Sequence, residues 1–327
     1  MAKNYQVMSN GTFLIKAPVQ ALENELAKQG AAKRQALDCF ILAEELSYAN
    51  QNAEAGEAYE KSIGIFPSMS AFLNRGNVLF ISGRIVEAHQ SYFHGQALAE
   101  KKQNKWFESA FISNIGHLYY SEGNSDKAIE YFNQALPILK ETWETKEVTA
   151  ILLGILQKME GIYNQQKDLA LAIECLQQAL LLFRETGGHS GTAKCLNNLG
   201  LILVTRKEYD QALDSFREAL AIFRKLGSRA NEAEQLGNLG SVYRDLAKND
   251  LALEHYSESL AIFKEIGHEL GIANQIGNIG YILFKEGDYY SALTYFQQAE
   301  KLYLKLGVAS RAEMTRKNID NLVTIML

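Results

Sequence analysis

The feature that most constrains this chain is a sequence unit that recurs every 40 residues. Gly200, Gly240 and Gly280 stand in the matching words NNLGLILV, GNLGSVYR and GNIGYILF. Twelve residues after each glycine comes an alanine, and four residues after that an aromatic residue; these pairs are Ala212 and Phe216, Ala252 and Tyr256, Ala292 and Phe296. A regular period of this length predicts an array of small stacked units rather than a single globular core.

Each unit has the pattern of two helices. Apolar residues between the glycines recur at i, i+3, i+4 and i+7, which is the spacing of one helix face; in one unit they are Tyr209, Ala212, Leu213, Phe216, Ala219, Leu220 and Phe223. Glycine-containing breaks such as KLGS and EIGH separate the helical stretches. We therefore predict antiparallel helices A and B in each unit. Gly240 lies in helix A, where it allows helix B to approach closely, and we expect the same of Gly237 and Gly277 three residues earlier.

In these positions the chain resembles the tetratricopeptide repeat family over about residues 36 to 327. The small residue of helix A is matched by Ala43, Gly76, Gly116, Gly200, Gly240 and Gly280. The alanine that opens helix B is matched by Ala55, Ala88, Ala128, Ala172, Ala212, Ala252 and Ala292. The period exceeds the usual 34 residues and is similar to the long-helix variant of kinesin light chains, Pins-type adaptors and Rap-type peptide sensors. The resemblance implies an all-α solenoid, a right-handed superhelix of about seven hairpins with a C-terminal capping helix.

The rhythm of the repeat suggests four regions: an N-terminal arm (1–17), an N-terminal helix with three repeats (18–143), four further repeats (144–307) and the capping helix (308–327). The arm has no assigned structure and is expected to be mobile. From Gly116 to the aligned Glu160 is 44 residues, which places one extra helical turn near residue 143. Pro137 is expected to kink or shorten its helix there, so we predict a joint, with Trp143 beside it.

Composition narrows the class of partner and the compartment. The net charge of −5 argues against nucleic acid. No stretch has the apolar length of a membrane span, and no secretory leader is evident, so we expect a cytoplasmic protein without a membrane partner. The three scattered cysteines do not have the spacing of disulfides or a zinc site. The six histidines form no catalytic motif. We therefore expect no enzyme activity, no metal and no cofactor.

One polar residue recurs within helix A, two positions before the small residue. Asparagine is a mediocre helix former, so its repetition calls for a reason. The copies, here called the ladder positions, are Asn74, Asn114, Asn198, Asn238, Asn278 and Asn318; the irregular repeat has Lys158 instead. In the family this position lines a concave groove, and in the long-helix relatives an asparagine there holds the backbone of an extended peptide.

The chemistry of asparagine suits such a groove. Its amide offers an acceptor and two donors, so one side chain can pair with both the N–H and the C=O of a bound peptide. With helices about 10 Å apart, we expect each asparagine to meet about every third peptide residue. Specificity then falls to neighbouring side chains, and the candidates are Lys194, Ser241, Arg244, Tyr281 and Lys285. The alternative is that the asparagines only join adjacent helices.

Three functions fit these features. The leading hypothesis is a scaffold that binds an extended peptide or a partner's tail in its groove. The second is a self-assembling structural protein whose groove is filled by its own N-terminal arm or by a neighbour's helix. The third is a peptide-sensing regulator of a signalling protein. All three have protein or peptide partners, and the second adds self-association.

Overall fold

The computed structural model describes residues 5–7, 13–26, 32–142 and 145–327. They form sixteen α-helices and two short strands, and the fold is an all-α solenoid of helical hairpins. The chain divides into two compact units, Met1–Cys175 and Leu176–Leu327, which we call the N-terminal and C-terminal units. Among the described residues, no helix is both long enough and apolar enough to span a bilayer.

The N-terminal unit contains both strands and eight complete helices. Their bounds are β1 Tyr5–Val7, β2 Phe13–Ile15, α1 Val19–Leu26, α2 Ala32–Tyr48, α3 Asn52–Ile65, α4 Met69–Ile81, α5 Ile85–Lys101, α6 Lys105–Ser121, α7 Ser125–Thr142 and α8 Thr145–Gln165. Helix α9, Leu169–Glu185, runs across the division between the units. Helices α2 and α3, α4 and α5, and α6 and α7 pack as hairpins, as the repeat predicts.

The C-terminal unit continues the same alternation. Its complete helices are α10 His189–Thr205, α11 Tyr209–Lys225, α12 Arg229–Asp245, α13 Asn249–Glu265, α14 Glu269–Glu286, α15 Tyr289–Lys305 and α16 Ala309–Met326. Three hairpins form, and α16 packs on α15 in the place of the predicted capping helix. Two of the predicted breaks contain glycines with left-handed backbones, Gly227 at φ 66° and Gly267 at φ 68°.

Burial follows the predicted helix face. On α11, the side chains of Ala212, Phe216 and Ala219 are fully buried. In helix A of the next repeat, a Cβ placed on Gly240 would lie 2.7 Å from the ring of Tyr256, so a side chain there would collide with helix B. The expectation for Gly277 is wrong, because a Cβ there would have ordinary contacts at 3.8 Å. At Gly237 the close neighbour is Gln275 of the next A helix, at 2.8 Å, rather than helix B.

The described part of the N-terminal arm, residues 5–7 and 13–17, differs from the expectation of a mobile segment. Strands β1 and β2 pair antiparallel, with Tyr5 opposite Ile15 and Val7 opposite Phe13. Leu14 and Ile15 of β2, and Ala17 between β2 and α1, have no exposed surface. This part of the arm is ordered because it lies against the repeats of its own unit, where β2 contacts α6.

The irregular repeat is accommodated in two helices. Helix α7 runs to Thr142, five residues past Pro137, so the proline does not shorten it. Helix α8 has 21 residues where α10 has 17, which absorbs the extra turn. Trp143, the residue placed at the predicted joint, lies outside the described residues, and the joint itself stays a prediction.

Candidate functional site

The first two ladder positions hold the backbone of the protein's own N-terminal arm. The Ile15 N–H donates to Asn114 Oδ1, and Asn114 Nδ2 donates to the Ile15 carbonyl, both at 2.9 Å. The Ala17 N–H and carbonyl make the same pair of bonds with Asn74, both at 2.8 Å. Each asparagine therefore uses its acceptor and a donor on one extended residue, which is the pairing that the chemistry of its amide predicts.

The spacing of these bonds corrects one expectation. Asn74 and Asn114 lie one repeat apart but hold Ala17 and Ile15, which are two residues apart rather than three. An extended chain advances about 6.7 Å over two residues, which is shorter than the distance of about 10 Å between helix axes. The two residues that the asparagines hold are thus closer together than the helix axes of neighbouring repeats.

Three further side chains complete this surface, which we call the N-terminal groove. Asn77 Nδ2 donates to the Ile15 carbonyl at 3.0 Å, and Asn77 Oδ1 accepts from Asn114 Nδ2 at 2.9 Å. Lys16 Nζ lies 2.7 Å from Glu44 Oε2 and 4.5 Å from the centre of the Tyr48 ring. The arm is therefore held both by its backbone and by a buried ion pair.

The repeat pattern does not single out Glu44 and Asn77, although both directly follow a small residue of helix A. A tyrosine from helix B hydrogen-bonds each of them: Tyr59 OH to Glu44 Oε1, and Tyr92 OH to Asn77 Oδ1 at 2.7 Å. Burial raises the pKa of Tyr59 well above its usual value. Ser241 has the same position and accepts from Tyr256 at 3.1 Å while donating to its own helix, so this candidate is engaged by its repeat.

His117, also on the position after a repeat glycine, has no hydrogen-bond partner at either ring nitrogen. The ring is fully buried, with the Phe132 ring centre 5.0 Å away. Burial, with a smaller contribution from the charge of Lys158, lowers the pKa of His117 to about 3. His117 is therefore neutral at physiological pH.

The remaining ladder positions lie half-buried in the C-terminal unit, and Asn198, Asn238 and Asn278 bond there to side-chain amides. Asn238 Nδ2 donates to Asn197 Oδ1 at 3.0 Å, and Asn197 Nδ2 donates to Asn198 Oδ1 at 3.2 Å. Asn278 Nδ2 donates to Gln275 Oε1 at 3.3 Å. No described residue donates to the Oδ1 of Asn238 or of Asn278.

Between them, Asn238 and Asn278 line two cavities, which together we call the C-terminal groove, whereas Asn198 lines neither cavity. A cavity of about 660 Å³ is lined by residues that include Arg244, Asn278, Tyr281, Arg311 and Asn318. A second cavity, of about 290 Å³, shares Asn278 and Arg311 with the first and adds Asn238 and Ser241. The groove therefore brings together three of the ladder positions, Asn238, Asn278 and Asn318, and three of their predicted neighbours, Ser241, Arg244 and Tyr281.

The charged candidates are distributed unevenly around this groove. The guanidinium of Arg244 lies 5.9 Å from the centre of the Tyr281 ring, and Lys285 Nζ lies 5.5 Å from it. Arg244 also pairs with Asp245 at 2.8 Å. Lys194 is exposed on α10 and does not line either cavity. Arg311, which is not among the predicted neighbours of the ladder positions, donates to Asn274 Oδ1 at 2.7 Å.

The described residues contain no candidate metal site. No group of three histidine, cysteine or acidic side chains there is arranged to hold a metal ion. The fully buried histidine of the N-terminal unit has no acidic or thiol partner at its ring nitrogens.

Comparison with known sequences identifies the repeat. A family model described as Tetratricopeptide repeat matches residues 161–225 and 231–306, and a second model with the same description matches residues 111–137. These ranges add up to just over half of the chain. No curated protein sequence matches it.

Solved structures share the architecture at low sequence identity. BtubC (BKLC) from P. vanneervenii is 23% identical with a TM-score of 0.55, over 69% of this chain and 92% of that chain. RapI in its apo form is 18% identical with a TM-score of 0.61, over 83% and 77%. A signal transduction ATPase with a tetratricopeptide repeat sensor from Pyrococcus horikoshii is 13% identical with a TM-score of 0.60, over 95% of this chain and 47% of that chain. At these identities the likeness concerns the fold.

Proposed function

The chain belongs to the tetratricopeptide repeat family, and on this premise we propose that it is a non-enzymatic interaction scaffold. Its C-terminal groove holds an extended segment of a partner protein, whose backbone is bound by Asn238 and Asn278 in the groove and by Asn198 in the preceding repeat, beyond the two cavities. The fold alone does not select this function, because repeat folds serve many. The support comes from the ladder.

One observation carries the proposal. Asn74 and Asn114 each bond the N–H and the C=O of one residue in an extended segment. Asn238 and Asn278 occupy the same position of the repeat, and their Oδ1 atoms accept no hydrogen bond from the described residues. A ligand backbone N–H satisfies that acceptor, and the Nδ2 exchanges its neighbouring amide for the ligand carbonyl.

The step seen in the N-terminal groove sets the register of the ligand. Ile15 lies on the later repeat and Ala17 on the earlier one, so the segment runs opposite to the order of the repeats. We therefore expect Asn278, Asn238 and Asn198 to hold ligand residues i, i+2 and i+4. Tyr281 with the cations Arg244 and Lys285 then contacts ligand side chains near residue i.

The test uses the full-length protein and ten-residue peptides displayed on phage. Selected peptides are synthesised and titrated against the wild type, Asn238→Ala and Asn278→Ala. Each variant removes up to two hydrogen bonds, worth about 0.5–1.5 kcal/mol each, so we expect affinity to fall about fivefold to a hundredfold.

The matched control is Gln298→Ala, which removes an exposed amide from helix B α15. We expect this variant to bind as the wild type does. A library that yields no binding peptide, or peptides whose affinity is the same for Asn278→Ala as for Gln298→Ala, would contradict the proposal.

A further inference from the structure

The occupied N-terminal groove has the chemistry of a ligand site. We propose that it is a masked peptide-binding site in which residues 14–17 act as an intramolecular ligand. Its external ligand is an extended segment of a partner protein with two aliphatic residues, a lysine and a small residue in succession. This inference concerns Asn74, Asn77 and Asn114 and is independent of the C-terminal groove.

The bonds that hold the arm are those that a separate peptide makes. The repeats hold the backbone of Ile15 and Ala17 through asparagine side chains alone: Asn114 and Asn77 on Ile15, and Asn74 on Ala17. No backbone group of the described helices bonds to residues 14–17. A segment held in this way exchanges without unwinding a repeat helix.

The side chains of the arm define the class of ligand. Ile15 and Ala17 are fully buried, as is Leu14, so bulky polar residues do not fit there. The Lys16 ammonium pairs with Glu44 and lies over the ring of Tyr48, which is itself 78% exposed. A cation at this position satisfies a carboxylate that is only 7% exposed.

The groove also has a framework that does not depend on the arm. Glu44 Oε1 accepts from Tyr59 OH and, at 2.9 Å, from Asn74 Nδ2. Tyr92 OH donates to Asn77 Oδ1, which also accepts from Asn114 Nδ2. Because the polar groups of the groove bond to one another, the surface stays formed while its occupant changes.

The experiment measures binding of a fluorescein-labelled peptide with the sequence of residues 12–18, TFLIKAP, blocked at both ends. Anisotropy is recorded with full-length wild type and with Lys16→Glu, which sets a second carboxylate against Glu44 and expels the arm while leaving the groove unchanged. We expect Lys16→Glu to bind the probe at least tenfold more tightly than the wild type does.

Two additions locate the binding. Asn114→Ala introduced into Lys16→Glu should weaken probe binding at least fivefold, whereas Asn278→Ala introduced into Lys16→Glu should leave it unchanged. The same peptide methylated at the nitrogen of its Ile15 residue lacks the N–H that Asn114 accepts, so it should bind at least fivefold more weakly. A response to Asn278→Ala in place of Asn114→Ala would assign the probe to the C-terminal groove and overturn this inference while leaving the proposed function intact.

Folding of Lys16→Glu is checked by circular dichroism. A folded variant with no gain in affinity would overturn the inference, as would a wild type that is dimeric through exchanged arms. If the variant does not fold, hydrogen exchange on the wild type decides. Protection of the Ile15 and Ala17 amides that falls as probe is added supports the inference, and protection that stays constant at millimolar probe overturns it.

Discussion

The two units place the same asparagine at the same position of the repeat, but its partners differ. In the N-terminal unit, Asn114 is fully buried, and it bonds the N–H and the C=O of Ile15. In the C-terminal unit, Asn238 is half-buried, and its Nδ2 bonds the side chain of Asn197. A ladder position therefore serves either as a clamp on an extended backbone or as a tie between neighbouring A helices.

The N-terminal unit has the backbone clamp that the peptide-binding interpretation of the ladder predicts, and the C-terminal unit has the contact between helices that the packing interpretation predicts. A clamp satisfies the acceptor and a donor of the side chain, whereas the tie in the C-terminal unit leaves the acceptor of Asn238 without a donor among the described residues. Backbone groups buried in a clamp depend on their asparagine, because an unsatisfied buried group costs about 1–3 kcal/mol. The contact that Asn238 makes with Asn197 can therefore break at a lower cost in free energy than a clamp.

The largest expected effect is a loss of stability of the N-terminal unit at acidic pH. Because burial holds the pKa of His117 at about 3, below the usual 6.5, the unfolded chain binds a proton that the folded unit does not. Stability attributable to this residue therefore falls as the pH drops from 6.5 towards 3, by about 3 kcal/mol at pH 4. Urea unfolding at pH 7 and pH 4, followed by tryptophan fluorescence, measures this loss.

Fluorescence isolates the N-terminal unit because both tryptophans, Trp106 and Trp143, fall within residues 1–175. His117→Leu should abolish about 3 kcal/mol of the difference between pH 7 and pH 4 while carboxylates titrate as before. An unchanged difference in this variant would show that His117 gains a proton without unfolding.

The second prediction compares the clamp with the tie. Asn114→Ala leaves the buried Ile15 N–H without an acceptor and should destabilise the N-terminal unit by about 2 kcal/mol. Asn238→Ala loses one half-buried bond and gains helix propensity, so the C-terminal unit should change by less than about 0.5 kcal/mol. Urea unfolding, followed by amide hydrogen exchange in each unit, checks both values.

Equal losses for the two variants would mean that Asn238 is as structurally essential as Asn114, and the comparison between the grooves would fail. Asn77→Ala serves as an internal check. Asn114 still holds the Ile15 carbonyl in that variant, but the fully buried Tyr92 OH loses its acceptor, so we expect a loss of about the same size as for Asn114→Ala.

Much of the fold could be predicted from the sequence, because the same pattern of small and aromatic residues recurs in successive repeats. The spacing from Gly240 to Ala252 and Tyr256 fixes which faces of two helices meet, and the ring of Tyr256 does lie against Gly240. The extended conformation of residues 13–17 and their contacts with the repeats could not be predicted in this way. An extended segment has no helical period, and its bonds to Asn114 span 99 positions of the chain.

For the N-terminal groove, the sequence predicted the hydrogen bonds of asparagine to an extended backbone, but it did not predict which segment would fill the groove. Repetition of asparagine indicated a backbone clamp, which Asn74 and Asn114 form. Filling of the groove by the N-terminal arm was only one of the alternatives. The arm bonds through backbone groups, which every residue has, so its side chains do not identify it. One signal could have indicated Glu44. Lys16 is the only charged residue in the segment FLIKAP, residues 13–18, and Glu44 is an acidic residue that directly follows the small residue of a helix A.

A smaller effect is expected from adding a methyl group at a close helix contact. In Gly240→Ala the new Cβ would lie 2.7 Å from the Tyr256 ring, so the ring and helix B must shift. Overpacking outweighs the gain in helix propensity, and we expect a net loss of about 1 kcal/mol from the C-terminal unit. Thermal unfolding followed by circular dichroism measures it, and a variant as stable as the wild type would show that helix B yields freely.

The smallest effect, and the only gain, is expected at Gly277, which lines the 660 Å³ cavity of the C-terminal groove. A Cβ there meets its nearest neighbours at 3.8 Å, so Gly277→Ala should stabilise the unit by about 0.5 kcal/mol through helix propensity alone. Packing within the protein therefore does not require glycine at position 277. A ligand backbone that passes close to the helix would require it. We expect the same variant to bind the selected peptides about three- to tenfold more weakly, a loss of about 1 kcal/mol. Thermal unfolding and peptide titration on one sample separate the two effects. A stabilised variant with unchanged affinity would place the ligand elsewhere in the groove.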